Sequence, residues 1–307
     1  MTTTFKGRDI ISISELAKPE ILTVLEHAKK LKNKPRPELL RGLTMASCFF
    51  EPSTRTRLSF ETAMQKLGGH VIGFADPSAT STKKGETLHD TIKMVEGYAD
   101  IIILRHYLEG AARRAAEVSD KPVINCGDGA NQHPTQTLID LYTIQECQKK
   151  LTGLKIALVG DLKYGRTVHS LAEALTHFGA RLYFVAPEAL AMPSQVTSRL
   201  KKQGITFSEH QTIEEVIEGV DIIYMTRIQA ERFADPYEYE RVKNSFVLTP
   251  KILEKSKKNL RVLHPLPRVN EITPAVDALP QAYYFEQATN GVFVRQALLG
   301  LVLGKLK

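Results

Sequence analysis

The sequence predicts an α/β fold with two doubly wound parallel-sheet domains and the active site in the interdomain cleft. Short apolar runs, of the kind that form strands buried on both faces of a parallel sheet, alternate with segments of helical periodicity. The alternation restarts near Lys150, and a length of 307 residues suggests two domains of roughly 150 residues each. Polar clusters follow several predicted strands, and ligands of such folds bind where strand carboxyl ends face a crevice.

The first half opens with a predicted helix that Ser12 or Ser14 caps and that ends before Pro35. Strands and helices then alternate, interrupted by a loop of small residues at 76–85. We expect this loop to be mobile, because nothing in it can pack heavily. The predicted strands are 44–50, 71–74, 101–104 and 122–126, and the helices are 58–67, 86–98, 110–118 and one that contains Leu138, Leu141 and Ile144.

The second half repeats the order of strand, polar turn and helix that is typical of α/β folds. Two of its strands end in polar clusters, Arg227 with Gln229 and the segment 264–268. A final helix, 291–303, closes the chain. The other predicted elements are strands 155–160, 181–185, 221–226 and 261–263 and helices 167–178, 194–203, 213–218 and 250–255.

Composition indicates a soluble globular protein, with 43% apolar and 24% charged residues. The first ten residues lack the pattern of a secretory signal, and the apolar segment 292–303 is too short to cross a membrane and contains Arg295. We therefore expect a cytoplasmic protein with no membrane partner. Cys48, Cys126 and Cys147 lie far apart and are interpreted as buried thiols.

The formal net charge of +7 is compatible with nucleic acid, a membrane surface or small anionic substrates. The lysine-rich segments are interpreted as solvated helix ends, and no nucleic-acid-binding motif accompanies them. Small anions are therefore the expected partners, and nucleic acid is not.

The segment 50–57 follows a predicted strand, opens a helix and contains Ser53, Thr54, Arg55, Thr56 and Arg57. The first amides of a helix are unsatisfied donors at the positive end of its dipole, where phosphate binds readily. Alternatively, Ser53 or Thr54 is a helix cap and the arginines are solvated. A cap needs one oxygen, and arginines are unfavourable there unless an anion joins them, which favours an anion site.

Polar residues at the predicted strand ends form a strongly cationic set without an evident metal-binding carboxylate cluster or a nucleophile beside a general base. Such a set suits two anionic substrates held together, with fixed donors stabilising transition-state charge. No metal or cofactor is expected. The set comprises Ser53, Thr54, Arg55, Thr56, Arg105, His133 and Gln136 from the first half and Arg166, Arg227, Gln229 and Arg268 from the second.

Competing interpretations apply to several of these positions. The segment 160–165 follows a strand, but its lack of G-x-G-x-x-G spacing disfavours a dinucleotide site, and Arg166 after Gly165 excludes a P-loop. His133 is either a structural histidine or a functional one, and its place in a turn before a helix makes function plausible. Lys83 and Lys84 are either solvated surface or part of a loop that closes over an anion.

Five segments, in order along nearly the whole chain, resemble the carbamoyltransferase family. Segments 50–57 and 133–137 are similar to carbamoyltransferases in general, and 160–167, 224–229 and 264–268 resemble those specific for aspartate. The resemblance implies transfer of a carbamoyl group from carbamoyl phosphate to the amino group of L-aspartate in pyrimidine synthesis. The products are N-carbamoyl-L-aspartate and phosphate.

The same resemblance implies domains and residue roles. Residues 1–148 with 290–307 would bind carbamoyl phosphate, and 149–289 would bind aspartate, whose carboxylates suit bidentate guanidinium groups. The catalytic residues would be Arg55, Thr56, Lys84, Arg105 and His133. The carbamoyl-phosphate contacts would be Ser53, Thr54, Arg55, Thr56, Ser81, Lys84, Arg105, His133, Gln136 and Leu266. The aspartate contacts would be Lys84, Arg105, Arg166, Arg227, Gln229 and Leu266.

By resemblance, Ser81 and Lys84 enter the active site of a neighbouring subunit, which implies a homotrimer. Zinc-binding regulatory chains and allosteric control by nucleotides are compatible with the family. In the expected mechanism the amine attacks the carbamoyl carbon without a covalent enzyme intermediate, and its proton passes to the departing phosphate or to a lysine.

Two rival functions are compatible with parts of the sequence. Ornithine carbamoyltransferases share the phosphate half, but Arg166 and Arg227 with Gln229 suit a substrate with two carboxylates. The cysteine that these relatives carry between a histidine and Leu-Pro is absent, because Pro265 follows His264. A non-catalytic anion-binding protein of the same fold is the second rival.

Overall fold

Two all-parallel sheets, each with its own set of helices, make up the computed structural model, which describes residues 5–229, 233 and 235–307. The chain divides into two units, Met1–Tyr142 with Thr289–Lys307 and Thr143–Ala288. Two parallel-sheet α/β domains were predicted from the sequence, and this fold class is confirmed. The domain limits inferred from the sequence, 1–148 with 290–307 and 149–289, stay a prediction.

The sheet of the first unit has the strand order β2-β1-β3-β4. Its central strand β3 is buried along its whole length because Ile101, Ile102, Ile103 and Leu104 pack on both faces. The strands are β1 (Thr44–Phe49), β2 (His70–Phe74), β3 (Ile101–His106) and β4 (Val123–Asp128). The helices are α1 (Lys18–Asn33), α2 (Thr54–Lys66), α3 (Leu88–Glu96), α4 (Ala111–Val118) and α5 (Pro134–Gln148).

The sheet of the second unit has the order β7-β6-β5-β8-β9 around an apolar core that includes Val159, Ile223 and Val262. The strands are β5 (Lys155–Val159), β6 (Arg181–Val185), β7 (Phe207–His210), β8 (Ile222–Met225) and β9 (Arg261–Leu263). The helices are α6 (Arg166–Leu175), α7 (Ser194–Lys202), α8 (Pro236–Val242), α9 (Pro250–Leu253) and α10 (Tyr284–Val302), the last of which continues into the first unit's segment.

The first helix begins later than predicted. Ser12 caps only a short 3-10 turn, Ile13–Glu15, by accepting a hydrogen bond from the Ser14 amide. Helix α1 starts at Lys18, where Pro19 fits the first turn and the Glu20 side chain accepts the Ala17 amide at 2.7 Å. Its end before Pro35 is confirmed.

Other differences arise where apolar periodicity is weak. Strand β7 was not predicted, because Phe207 is its one strongly apolar residue. Helix α8 was also missed, and residues 213–218, predicted to be helical, form turns. Helix α10 begins at Tyr284, before its first predicted residue, because the mostly polar residues 286–290 interrupt the apolar repeat.

Candidate active site

The hydroxyl-rich segment 50–57 comprises the turn between β1 and α2 and the first residues of that helix, as predicted. Ser53 occupies the cap position of α2, yet its side chain makes no capping hydrogen bond. Thr54 is exposed and Thr56 is buried. Since the Ser53 hydroxyl is not used by the helix, the alternative that it serves as a simple cap is not supported. The first amides of this 13-residue helix thus share the turn with an uncommitted hydroxyl.

The two arginines of this turn differ in their partners. Arg57 Nε lies 3.2 Å from Glu61 Oε1 one helical turn later, so its charge is balanced within α2. Arg55 forms no ion pair within the described part of the chain. Arg55 is exposed, but neighbouring atoms remove part of its hydration and so lower the pKa of its guanidinium. An unbalanced, partly desolvated cation at a helix start is a binding position for an anion.

Strand pairing brings Arg105 beside this turn. Arg105 lies opposite Phe49 in the register of β3 and β1, and its carbonyl accepts the Phe50 amide at 2.8 Å. The residue is 9% exposed, and its Nη1 donates to the Cys126 carbonyl at 3.1 Å. Its Nε lies 2.7 Å from Glu51 Oε2, although the N–H is not aligned on that oxygen. These contacts fix the guanidinium next to the turn.

His133 stands at the start of α5, just after β4, which pairs with β3. Its ring is buried, with Nδ1 3.4 Å from Thr135 Oγ1. The His133 carbonyl accepts the amides of Gln136 and Thr137 at 3.0 and 3.3 Å, so the residue ends the turn and opens the helix. The segments carrying Ser53, Arg105 and His133 therefore lie at the carboxyl ends of three neighbouring strands.

A buried aspartate that the sequence reasoning overlooked shapes the turn before His133. Asp128 accepts the Asn131 and Asn125 side-chain amides at 3.0 and 2.9 Å and the Gln132 backbone amide at 3.2 Å. Its position in a Gly-Asp-Gly turn was the available signal, because Asp side chains bond locally in turns.

In the second unit, two loops that carry predicted site residues are joined by hydrogen bonds. The Asp161 amide donates to Thr226 Oγ1 at 3.1 Å, and the Thr226 hydroxyl donates to the Val159 carbonyl at 2.9 Å. The first loop leads to Arg166 at the start of α6, and the second leads to Arg227 and Gln229. The two arginines and the glutamine, all half-buried, are thereby placed on adjacent loops.

Asp161 itself organises these loops from a fully buried position. One carboxylate oxygen accepts the Tyr164 amide at 2.9 Å, and burial raises the pKa of the Asp161 carboxyl. Gly160, with φ +112°, permits the two loops to approach closely, because a Cβ at this position would lie 2.5 Å from the Thr226 carbonyl oxygen. In the sequence, Asp161 was notable only as a departure from a dinucleotide-binding motif.

Sequence models of two domains match the chain in order. The carbamoyl-phosphate-binding domain of aspartate/ornithine carbamoyltransferases matches residues 8–146, and the Asp/Orn-binding domain matches residues 152–302. The chain belongs to the aspartate/ornithine carbamoyltransferase family. Its predicted resemblance to carbamoyltransferases is thus confirmed.

Curated members of the carbamoyltransferase family are similar over almost the full length. The aspartate carbamoyltransferase catalytic subunit of Bacteroides fragilis is 57% identical over 300 residues, which cover 97% of each chain. Catalytic subunit 2 of Shewanella halifaxensis is 56% identical over 304 residues, with 99% of this chain and 98% of the relative covered. The prediction that the chain is an enzyme of the aspartate carbamoyltransferase type is confirmed by these relatives.

Solved carbamoyltransferase structures show the same fold. The catalytic subunit of M. jannaschii aspartate transcarbamoylase has a TM-score of 0.90 at 50% identity and covers 97% of this chain and 98% of its own. The Trypanosoma cruzi aspartate transcarbamoylase, solved with carbamoyl phosphate and aspartate, has a TM-score of 0.92 at 37% identity, with 97% and 98% covered.

Other residues that the carbamoyltransferase resemblance singled out lie on loops. Ser81 and Lys84 are exposed at the two ends of a 3-10 turn, Ser81–Lys84, that the Thr80 side chain caps. Leu266 is half-buried with φ +54°, and its amide donates to His264 Nδ1 at 2.7 Å. The expected mobility of the loop 76–85 stays a prediction.

Arg268 does not fit the cationic set in which the sequence analysis placed it. Its Nη2 donates to Asp277 Oδ2 at 2.6 Å, and its Nη1 donates to the Tyr284 hydroxyl at 3.0 Å. The guanidinium also lies 5.2 Å from the Tyr284 ring centroid. With its charge balanced by Asp277, Arg268 supports the loop rather than offering a free cation to a ligand.

Among the residues that the structure describes, no three or more His, Cys, Asp or Glu side chains are grouped so as to hold a metal ion. None of the helices in the same residues combines the length and apolar character needed to cross a membrane.

Proposed function

We propose that the chain transfers the carbamoyl group from carbamoyl phosphate to L-aspartate, forming N-carbamoyl-L-aspartate and phosphate, as a step of de novo pyrimidine biosynthesis in the cytoplasm. The observation that carries the proposal is the unbalanced Arg55 cation at the start of α2, beside the buried and fixed Arg105. The Trypanosoma cruzi relative, solved with both substrates and with carbamoyl aspartate and phosphate, supports the choice of ligands.

The phosphate half of the reaction is assigned to the first unit. Ser53, Thr54, Arg55 and the first amides of α2 hold the phosphate, where hydroxyls, a cation and the helix dipole favour negative charge. Arg105, His133 and Thr56 face the carbamoyl oxygen. As the aspartate nitrogen bonds to the carbamoyl carbon, negative charge grows on that oxygen, and donors held in place stabilise it without reorganising.

The aspartate half is assigned to Arg166, Arg227 and Gln229. Planar guanidinium groups bind carboxylates with two parallel hydrogen bonds and so orient the amine as well as holding it. When the carbamoyl C–O bond breaks, its electron pair leaves with phosphate, which also takes the proton from the amine. This sequential mechanism forms no covalent enzyme intermediate.

Turnover with a panel of amines tests the proposal. We expect carbamoylation of L-aspartate and no measurable carbamoylation of L-ornithine, because two guanidinium groups would repel the ornithine side-chain cation. Turnover of ornithine but not aspartate would overturn the substrate assignment. Binding of carbamoyl phosphate without turnover of any amine would instead indicate a non-catalytic anion-binding protein.

We further propose a homotrimer in which Ser81 and Lys84 complete the carbamoyl-phosphate and aspartate site of the neighbouring chain. Lys84 forms no ion pair within the described ranges, and half-exposed apolar side chains lie on elements α2, β2 and α3 of the same unit, namely Leu58, Ile72 and Met94. Association with zinc-binding regulatory chains and nucleotide control stays a prediction.

Mixing two inactive variants tests the shared site. Arg55→Ala and Lys84→Ala chains, unfolded and refolded together in equal amounts, should recover activity in about a quarter of the sites, because random cyclic assembly places both native residues in that fraction. Each variant refolded alone is the control. Mixtures that recover no activity would show that Lys84 acts within its own chain or not at all.

A further inference from the structure

In the first turns of α5, the side chain of Gln136 is hydrogen-bonded to the buried carboxylate of Asp140. Gln136 and Asp140 are four residues apart and therefore lie on one face of the helix. Gln136 Nε2 donates to Asp140 Oδ1 at 2.8 Å, and Asp140 is 0% exposed. No donor from the described residues reaches Gln136 Oε1. The amide thus has its nitrogen engaged and its oxygen available.

A buried arginine on α10 favours the charged form of Asp140. Arg295 is 3% exposed and interacts electrostatically with Asp140, and its guanidinium lies 4.9 Å from the Phe60 ring centroid. Burial lowers the pKa of Arg295 to about 10, so the group stays protonated at neutral pH. Opposite charges in a buried region stabilise each other's ionised forms.

The place of Arg295 depends on a glycine in the same helix. A Cβ at Gly291 would lie 2.4 Å from Arg295 Nη1 and 3.3 Å from Ile139 Cδ1, so a larger residue would displace the guanidinium. Helices α2, α5 and α10 therefore supply parts of one buried arrangement, Phe60, Asp140 and Arg295, beneath Gln136.

An ionised carboxylate accepts hydrogen bonds and cannot donate them, whereas a glutamine amide has both a donor and an acceptor end. Beside Asp140, Gln136 must therefore present its nitrogen to the carboxylate and its oxygen in the opposite direction. An amide oxygen binds N–H groups. A carbamoyl group carries an NH₂ group, and the methyl of an acetyl group in the same place does not.

We propose that Asp140 is a positioning residue that fixes the Gln136 amide with its oxygen toward the substrate and thereby selects carbamoyl phosphate over other acyl phosphates. The inference rests on the proposed carbamoyl transfer and adds the origin of its selectivity. Arg295 supports the arrangement by keeping Asp140 ionised.

The assignment is tested by comparing the selectivity for carbamoyl phosphate over acetyl phosphate in the Asp140→Asn variant with that of the unchanged enzyme. Carbamoyl phosphate affinity and acetyl phosphate competition are measured on the whole enzyme. An asparagine can donate to Gln136 Oε1, which lets the amide turn its NH₂ toward the substrate's NH₂. We expect the selectivity ratio to fall by about tenfold to a hundredfold, the usual effect of an unpaired polar group, with acetyl phosphate binding changed less than twofold.

Gln136→Ala supplies the second arm of the test. Because Asp140 is assigned to act through Gln136, adding Asp140→Asn to Gln136→Ala should change the ratio no further. Asp9→Asn is a matched control, since Asp9 accepts the Val123 amide at 2.8 Å at the opposite end of β4, and it should leave the ratio unchanged. Asp140→Ser, smaller and neutral, serves if the asparagine variant does not fold.

Equal losses for both acyl phosphates, an unchanged ratio in the Asn or Ser variant, or additive effects in the double variant would each overturn the assignment. Turnover by the wild-type enzyme distinguishes a failure of this assignment from a failure of the proposed function. If it carbamoylates aspartate while the ratio is insensitive to Asp140, only the positioning role fails. If it shows no turnover, the proposed function itself fails.

Discussion

Replacing Arg55 with alanine is expected to lower kcat for aspartate carbamoylation by roughly 10²-fold or more, the usual loss when one fixed donor to a developing or departing anion is removed. Arg55 is the unbalanced cation at the start of α2, so its charge is available to the leaving phosphate. Initial rates at saturating concentrations of both substrates measure the effect.

Arg57→Ala is the matched control for Arg55→Ala, because it removes the same side chain two residues later in the same helix. Arg57 is already paired with Glu61 at 3.2 Å, and a partly exposed pair of this kind contributes about 0–1 kcal/mol to stability. We expect its kcat to stay close to that of the unchanged enzyme. Equal losses in the two variants would mean that the turn needs only net positive charge, and an active Arg55→Ala would remove Arg55 from the mechanism.

The fold could be predicted where apolar patterns are strong. The run 101–104 indicates a strand buried on both faces, and the structure places it at the centre of the first sheet. Strand β7 at the edge of the second sheet was missed, because Phe207–His210 mixes one apolar residue with polar ones. Edge strands bury less, and their sequences are correspondingly less constrained.

Strand order and register lie outside what local patterns specify. Phe49 and Arg105 are far apart in the sequence, and only the pairing of β1 with β3 makes them neighbours. The sequence indicated that each follows or ends an apolar run. The sequence could not show that the Arg105 carbonyl would accept the amide of the residue after Phe49, because long-range pairing depends on packing of the complete domain.

The candidate site was predicted by residue type and corrected by pairing. Charge alone placed Arg55 and Arg268 in one cationic set, but Asp277 balances the charge of Arg268. Conversely, the sequence did not indicate a role for Asp140, because an aspartate inside a helix with an apolar repeat resembles a solvated residue. Its burial follows from contacts with α10, which are not visible in the local sequence.

Arg227→Ala is expected to raise the aspartate KM by about 10²-fold while the affinity for carbamoyl phosphate stays nearly unchanged. Truncating one partner of a buried, hydrogen-bonded charge pair costs about 2–5 kcal/mol, and each 1.4 kcal/mol is a factor of ten. Arg227 is half-buried on the loop after β8, in the unit assigned to aspartate. Steady-state kinetics with each substrate varied in turn separate the two affinities.

Substrates with one carboxylate sharpen the Arg227 test. β-Alanine lacks the α-carboxylate of aspartate, and L-alanine lacks the side-chain carboxylate. Suppose that Arg227 binds one of the two carboxylates. The Arg227→Ala change should then have little effect on activity toward the amine that lacks this carboxylate. It should strongly lower activity toward the amine that retains it. Lys243→Ala is a control in the same unit, because that lysine lines the same pocket as Arg227 yet is paired with Glu240 at 2.6 Å. Equal damage to carbamoyl phosphate and aspartate binding by Arg227→Ala would contradict the division of labour between the two units, because the guanidinium would then act on both substrates.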